Sequence, residues 1–97
     1  MLLSDKLKEL REQTEQPQRK VAAALDIDAV TYSKIENGKH MPSRDFGFRL
    51  SKFFGYDNEQ LIKLWLAERV VEVVKDEQVA SEVMKLAVSL VDKSTVD

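Results

Sequence analysis

QRKVAAALDIDAVTYSKIEN, the stretch Gln18–Asn37, decides the fold. Gln16-Pro17 reads as a helix entry, because a first helical turn leaves the missing proline N–H unpaired in any case. The helix it opens is only about two turns long and turns Val21, Ala22 and Leu25 inward. Asp26-Ile27-Asp28 breaks this pattern. Asp28 carries the acceptor that caps a next helix over Ala29 to Glu36, and Asn37-Gly38 closes that helix, since glycine reaches left-handed geometry without a Cβ penalty. The result is two short helices around a tight turn, the second sharply bounded at both ends. Ala22 and Ala23 are expected to let the pair approach closely, with Ile27 and Ile35 sealing the contact beneath and Asp26 in the strained position of the turn.

Working outward, Leu3, Leu7 and Leu10 form one stripe of an amphipathic first helix, with Ser4 as its expected cap and an end near Thr14. Pro42-Ser43 starts a fourth helix anchored by Phe46, Leu50, Phe53 and Phe54. Gly55 stops it and Gly47 weakens its middle. Asp57 to Gln60 matches a capping box and introduces Leu61, Ile62, Leu64 and Trp65. The Val-rich continuation, Val70 to Val74, has strand propensity but sits in helical spacing and is read as helix up to the charged break at Lys75-Asp76-Glu77. A sixth helix follows, and the tail from Ser94 is expected to fray.

These readings make an all-α chain of 97 residues, one folding unit in size. It is 43% hydrophobic and 33% charged, with three Gly and two Pro. Without cysteine there is neither a disulfide nor a thiolate metal site, and His40 is the only histidine, so no metal and no cofactor are expected. No apolar run reaches the roughly 18 residues of a membrane span, and Met1-Leu2-Leu3 meets charge at once, so a cytoplasmic location is expected. Net charge is −2, yet up to Tyr56 ten basic residues face eight acidic ones, against five and nine thereafter. This segregation leaves room for contact with phosphates in the first half of the chain.

The run Gln18 to Ala22, then Ile27, then Thr31-Tyr32-Ser33-Lys34-Ile35-Glu36-Asn37-Gly38-Lys39 resembles the helix-turn-helix of the lambda-repressor-like (Cro/C1, XRE) regulators over about Leu7 to Tyr56. Leu61 to Ala67 with Val73 to Glu77 is similar to a Bacteroidetes-type subgroup carrying an extra helical tail. The resemblance implies a lambda-repressor-like five-helix DNA-binding domain over residues 1–75, with the motif at 18–37, and a C-terminal helical extension over 76–97. It further implies base contacts from Ala29, Val30, Ser33 and Lys34, and DNA-backbone contacts from Gln18, Thr31, Asn37 and Lys39, with Arg19 and His40 near enough to join them. Arg11 and Glu36 match a pair tying helix 1 to helix 3, and Tyr32 matches an inward position.

The sequence departs from the family pattern at Pro17, at Asp26 in place of the turn glycine, and at Ala29 and Val30 in place of the usual polar readers. Alanine and valine offer only apolar contacts, such as those with thymine methyl groups, while Lys34 can donate to guanine O6 and N7. One recognition helix spans few base pairs, so two copies about 34 Å apart are expected. Val79, Val83, Leu86 and Leu90 form one apolar stripe of the tail, and Met84, Val88 and Val91 another. A helix apolar on two sides must bury both, which places the dimer interface in helices 5 and 6, one side on the domain and the other on a twin.

Two functions stay open: a homodimeric repressor on a palindromic operator of double-stranded DNA, or an antitoxin-type module whose last helices hold a protein partner. An enzyme is disfavoured. Ser33, His40 and Asp45 supply the residue types of a triad with nothing that suggests an oxyanion hole.

Overall fold

A computed structural model describes residues 2–94. Six α-helices follow in order, and no strand occurs among the described residues: α1 (Leu3–Gln13), α2 (Gln18–Ala24), α3 (Ala29–Glu36), α4 (Arg44–Phe54), α5 (Asn58–Val74) and α6 (Ala80–Ser94). The Val-rich segment is helical, and α5 gives way at Lys75. Of the fraying expected from Ser94, Ser94 itself closes α6 and the rest lies outside the described residues.

Helix ends follow local chemistry. The Asp28 carboxylate accepts from Thr31 N at 2.8 Å, and Ser43 Oγ accepts from Phe46 N at 3.1 Å. Gly38 and Gly55 close α3 and α4 with φ of 76° and 63°. Asp57 caps α5 by accepting from Glu59 N at 3.0 Å. The return bond from Gln60 that would complete the box is not among the bonds of the described residues. Ser4 does not cap α1. The helix begins two residues earlier than a Ser4 cap would place it, at Leu3, where Asp5 accepts the Leu2 N–H at 3.1 Å, and Ser4 instead lies against Gly38, 3.3 Å from where a Cβ would stand.

One cluster holds the first five helices. Leu3 and Leu7 of α1, Val21, Ala22 and Leu25 around α2, Tyr32 and Ile35 of α3, Phe46 and Leu50 of α4, and Leu61 of α5 are buried together. Ile27, Phe53, Phe54, Leu64 and Trp65 pack at its edge. Ala23 is not part of the α2–α3 contact. It faces solvent, and Ala22 alone supplies the small side chain there.

Gly47 sits in α4 with nothing within 4 Å of the position a Cβ would take. Gly47→Ala therefore gains helix propensity without a clash, and is expected to raise stability by about 0.5–1 kcal/mol. A urea melt should show it as a higher midpoint with an unchanged slope.

The last helix behaves differently. α6 has no buried residue, and the stripe of Val79, Val83, Leu86 and Leu90 stands 38–60% exposed. In the second stripe Met84 is half-buried but Val88 and Val91 are exposed, so neither stripe is fully covered within one chain. The radius of gyration, 15.7 Å, exceeds the about 13 Å of a compact chain of this length.

Candidate nucleic-acid interface

The turn between α2 and α3 is built by backbone bonds that fold it under. Ile27 N donates to Ala22 O at 3.0 Å and Asp26 N to Ala23 O at 3.1 Å. Asp26 takes φ 59°, the left-handed region expected from the sequence. Arg49 of α4 donates to the Leu25 carbonyl, which satisfies the end of α2 and pins the turn to the body of the domain. Trp65 does the same for the α3–α4 connection, its Nε1 donating to Pro42 O at 2.7 Å.

Behind α3 lies the pair that fixes its height. Arg11 Nε and a terminal nitrogen of its guanidinium donate to both oxygens of Glu36, at 2.8–3.0 Å, and its other terminal nitrogen donates to Gln16 O at 3.0 Å. The Glu36 side chain is 1% exposed and that of Arg11 16%. Burial works to raise the Glu36 carboxyl, but the hydrogen bonds from Arg11, with Gln18 and Tyr32 beside it, outweigh burial and hold it below the usual carboxylate range. The carboxylate in turn raises the Arg11 guanidinium further. Arg11 thereby joins α1, the α1–α2 loop and α3. Glu15 in that loop adopts φ 58°, a strained geometry for a non-glycine residue that no turn signal in the loop foreshadows.

Tyr32 is fully buried, and its hydroxyl has no hydrogen-bond partner, lying near Glu36 without meeting it in bonding geometry. Burial, then the neighbouring carboxylate, push this phenol well above its ordinary value. It stays neutral and inside.

α3 turns Tyr32, Ile35 and Glu36 inward, and the opposite face is open. Ala29, Val30 and Lys34 are exposed and Ser33 is half-buried, so these four residues share one outward surface. Asn37 Nδ2 donates to Ser33 Oγ at 3.3 Å, and Thr31 donates its hydroxyl to Asp28 at 2.8 Å. Hydrogen bonds from Thr31 also depress the Asp28 carboxyl, so Asp28 remains an anionic cap.

Thr31 and His40 meet at a groove of about 260 Å³ between α3 and the start of α4, which Ser43 and Phe46 also line. Gln18, at the start of α2, is half-buried, while Arg19, Asn37, Lys39 and His40 are exposed. Among the described residues no carboxylate forms an ion pair with Arg19, Lys20, Lys34, Lys39 or Arg44. These cations are free to meet phosphate. His40 shares the groove but takes part in no cluster of metal-ligating side chains among the described residues.

A short helix held at fixed height, open on one face and flanked by unpaired cations, is the form in which DNA-reading domains present themselves to a major groove. A family model described as Helix-turn-helix matches residues 7–58, more than half of the chain. The chain belongs to that family, the lambda-repressor-like DNA-binding regulators. No curated protein and no solved structure matches the chain. The family is one of DNA-binding proteins and generally not of enzymes. No helix among the described residues is long and apolar enough to cross a membrane.

Proposed function

We propose that the protein is a transcriptional repressor that binds a palindromic operator as a homodimer. The observation that carries this reading is the outward face of α3, where Val30 is 66% exposed and Lys34 stands without an acidic partner. In the proposed complex Ala29, Val30, Ser33 and Lys34 meet base edges. Gln18, Arg19, Thr31, Asn37, Lys39 and His40 meet the DNA backbone. Thr31 must release its hydroxyl from Asp28 to donate to a phosphate, which makes it the weakest of these contacts.

Residues 1–75 are the DNA-binding unit, and 76–97 an extension that pairs two copies through Val79, Val83, Leu86 and Leu90. Ten of the fourteen exposed large hydrophobics lie between Leu66 and Val91, which favours a protein-covered surface there. The same surface supports a second reading, an antitoxin-type module that binds a toxin and regulates its own operon. A second polypeptide co-purifying in fixed stoichiometry would favour that reading over the first.

Selection of bound fragments from random duplex DNA tests the homodimer on a palindrome directly, because two copies related by a two-fold axis yield a two-fold symmetric site. Roles within the interface separate by salt. Lys39→Ala is expected to weaken all duplexes alike and to lower the log–log salt slope by about one, the loss of one phosphate contact. Lys34→Ala should instead relax discrimination at one base pair per half-site. Equal losses on selected and random DNA for both variants would refute this division.

A further inference from the structure

We infer that Val30 reads a C5-methyl group, so that the protein prefers thymine or 5-methylcytosine at one position of each half-site over the unmethylated pyrimidines there. The inference rests on α3 being the helix that enters the major groove, and adds which chemistry it reads.

The geometry follows from helical spacing. At about 100° per residue, the inward residues Tyr32, Ile35 and Glu36 centre on one direction, and Val30 and Lys34 project almost opposite to it, one turn apart. Of the side chains on that face, Val30 is the large one nearest the N-terminus of α3, where such helices approach base edges. Its neighbours do not offer a competing polar reader. Thr31 donates its hydroxyl hydrogen to Asp28, Ser33 is half-buried with its oxygen accepting from Asn37, and Ala29 carries only a methyl. What reaches the DNA from the first turn of α3 is therefore hydrocarbon.

In the major groove, the C5-methyl of thymine is the one apolar feature among the base edges. Cytosine and uracil both lack that methyl, and uracil differs from thymine by the methyl alone. A methyl placed on cytosine restores the same apolar contact at the same place. Site occupancy then responds to cytosine methylation, with Lys34 one turn further on donating to an adjacent guanine.

The test uses the full chain and a duplex selected by it from random DNA. Each thymine in the half-site is replaced singly by deoxyuridine, and the sensitive position also by cytosine and by 5-methylcytosine. Burying one methyl against Val30 predicts a loss of about fourfold in affinity for uracil, at least as much for cytosine, and recovery to within about twofold for 5-methylcytosine. Val30→Ala should bind the thymine and uracil duplexes equally. Val30 is exposed, so this variant is expected to melt as the parent does.

A selected duplex with no uracil-sensitive thymine overturns the methyl reading and leaves the regulator reading standing. So does a Val30→Ala protein that keeps the full preference for thymine over uracil, or a site that treats cytosine and 5-methylcytosine alike. Failure to select any duplex overturns both readings together.

Discussion

Replacing Arg11 with alanine is expected to lower the unfolding free energy by about 3 to 5 kcal/mol. The cost arises from what is left behind, since the Glu36 carboxylate, 1% exposed, would keep its charge in a buried site with no cationic partner. A domain of this size holds about 5 to 15 kcal/mol in all, so the variant should be close to unfolding at moderate temperature. Glu36→Ala is expected to cost less. The abandoned Arg11 guanidinium is already partly exposed, still donates to Gln16 O, and can turn toward solvent. Replacing both partners with apolar residues of similar volume, Arg11→Met with Glu36→Leu, should recover most of the loss. Urea melts of the four proteins, in which Arg11→Ala must be the least stable, decide the matter.

The same pair sets an acid limit. The folded-state Glu36 carboxyl is held below its ordinary value of 4.5, so its contribution is complete above about that pH and is lost as the pH falls toward the folded value. In Arg11→Ala the sign reverses, because burial, the largest influence on Glu36, is then opposed only by Gln18 and Tyr32 and raises it. That variant should gain stability as the pH falls and the carboxyl takes up its proton. A parent and variant whose melting temperatures move together from pH 7 to pH 4 would contradict this account.

Much of this was legible in the sequence because it is local. Asp28, Ser43, Gly38 and Gly55 act within three residues of themselves, and the helices they bound appear where spacing places them. Ser4 misled because a second acceptor, Asp5, stands one residue further on and captures the start of α1 first. Ala23 misled because small size marks a residue as packable without saying which way it faces. The bonds from Arg49 to Leu25 and from Trp65 to Pro42 span more than twenty residues, and no periodicity announces them. The position of Tyr32 followed from the family pattern, but its unpaired hydroxyl did not. For the interface, the sequence indicated which residues lie outward on α3. That the side chains of Thr31 and Ser33 already hold hydrogen bonds within the chain, while those of Val30 and Lys34 hold none among the described residues, needed coordinates.

The second large effect concerns α6. Leu86 and Leu90 are 60% and 57% exposed, so changing both to glutamate removes little packing within one chain and should leave its helical content unaltered. If α6 is where two copies pair, four buried charges per dimer replace apolar contacts, and light scattering should find the monomer mass in place of the dimer. Operator binding then loses the effective concentration that a linked second domain supplies, an advantage of about a hundredfold or more. A single half-site should be bound about as well as by the parent's individual domain. This combination, full-site affinity lost with half-site affinity kept, distinguishes a pairing defect from damage to α3. A double variant that remains dimeric would place the pairing surface elsewhere and leave the exposed stripe of α6 to a different protein. An unchanged dimer in a chain ending at Lys75 would exclude α6 from self-association altogether.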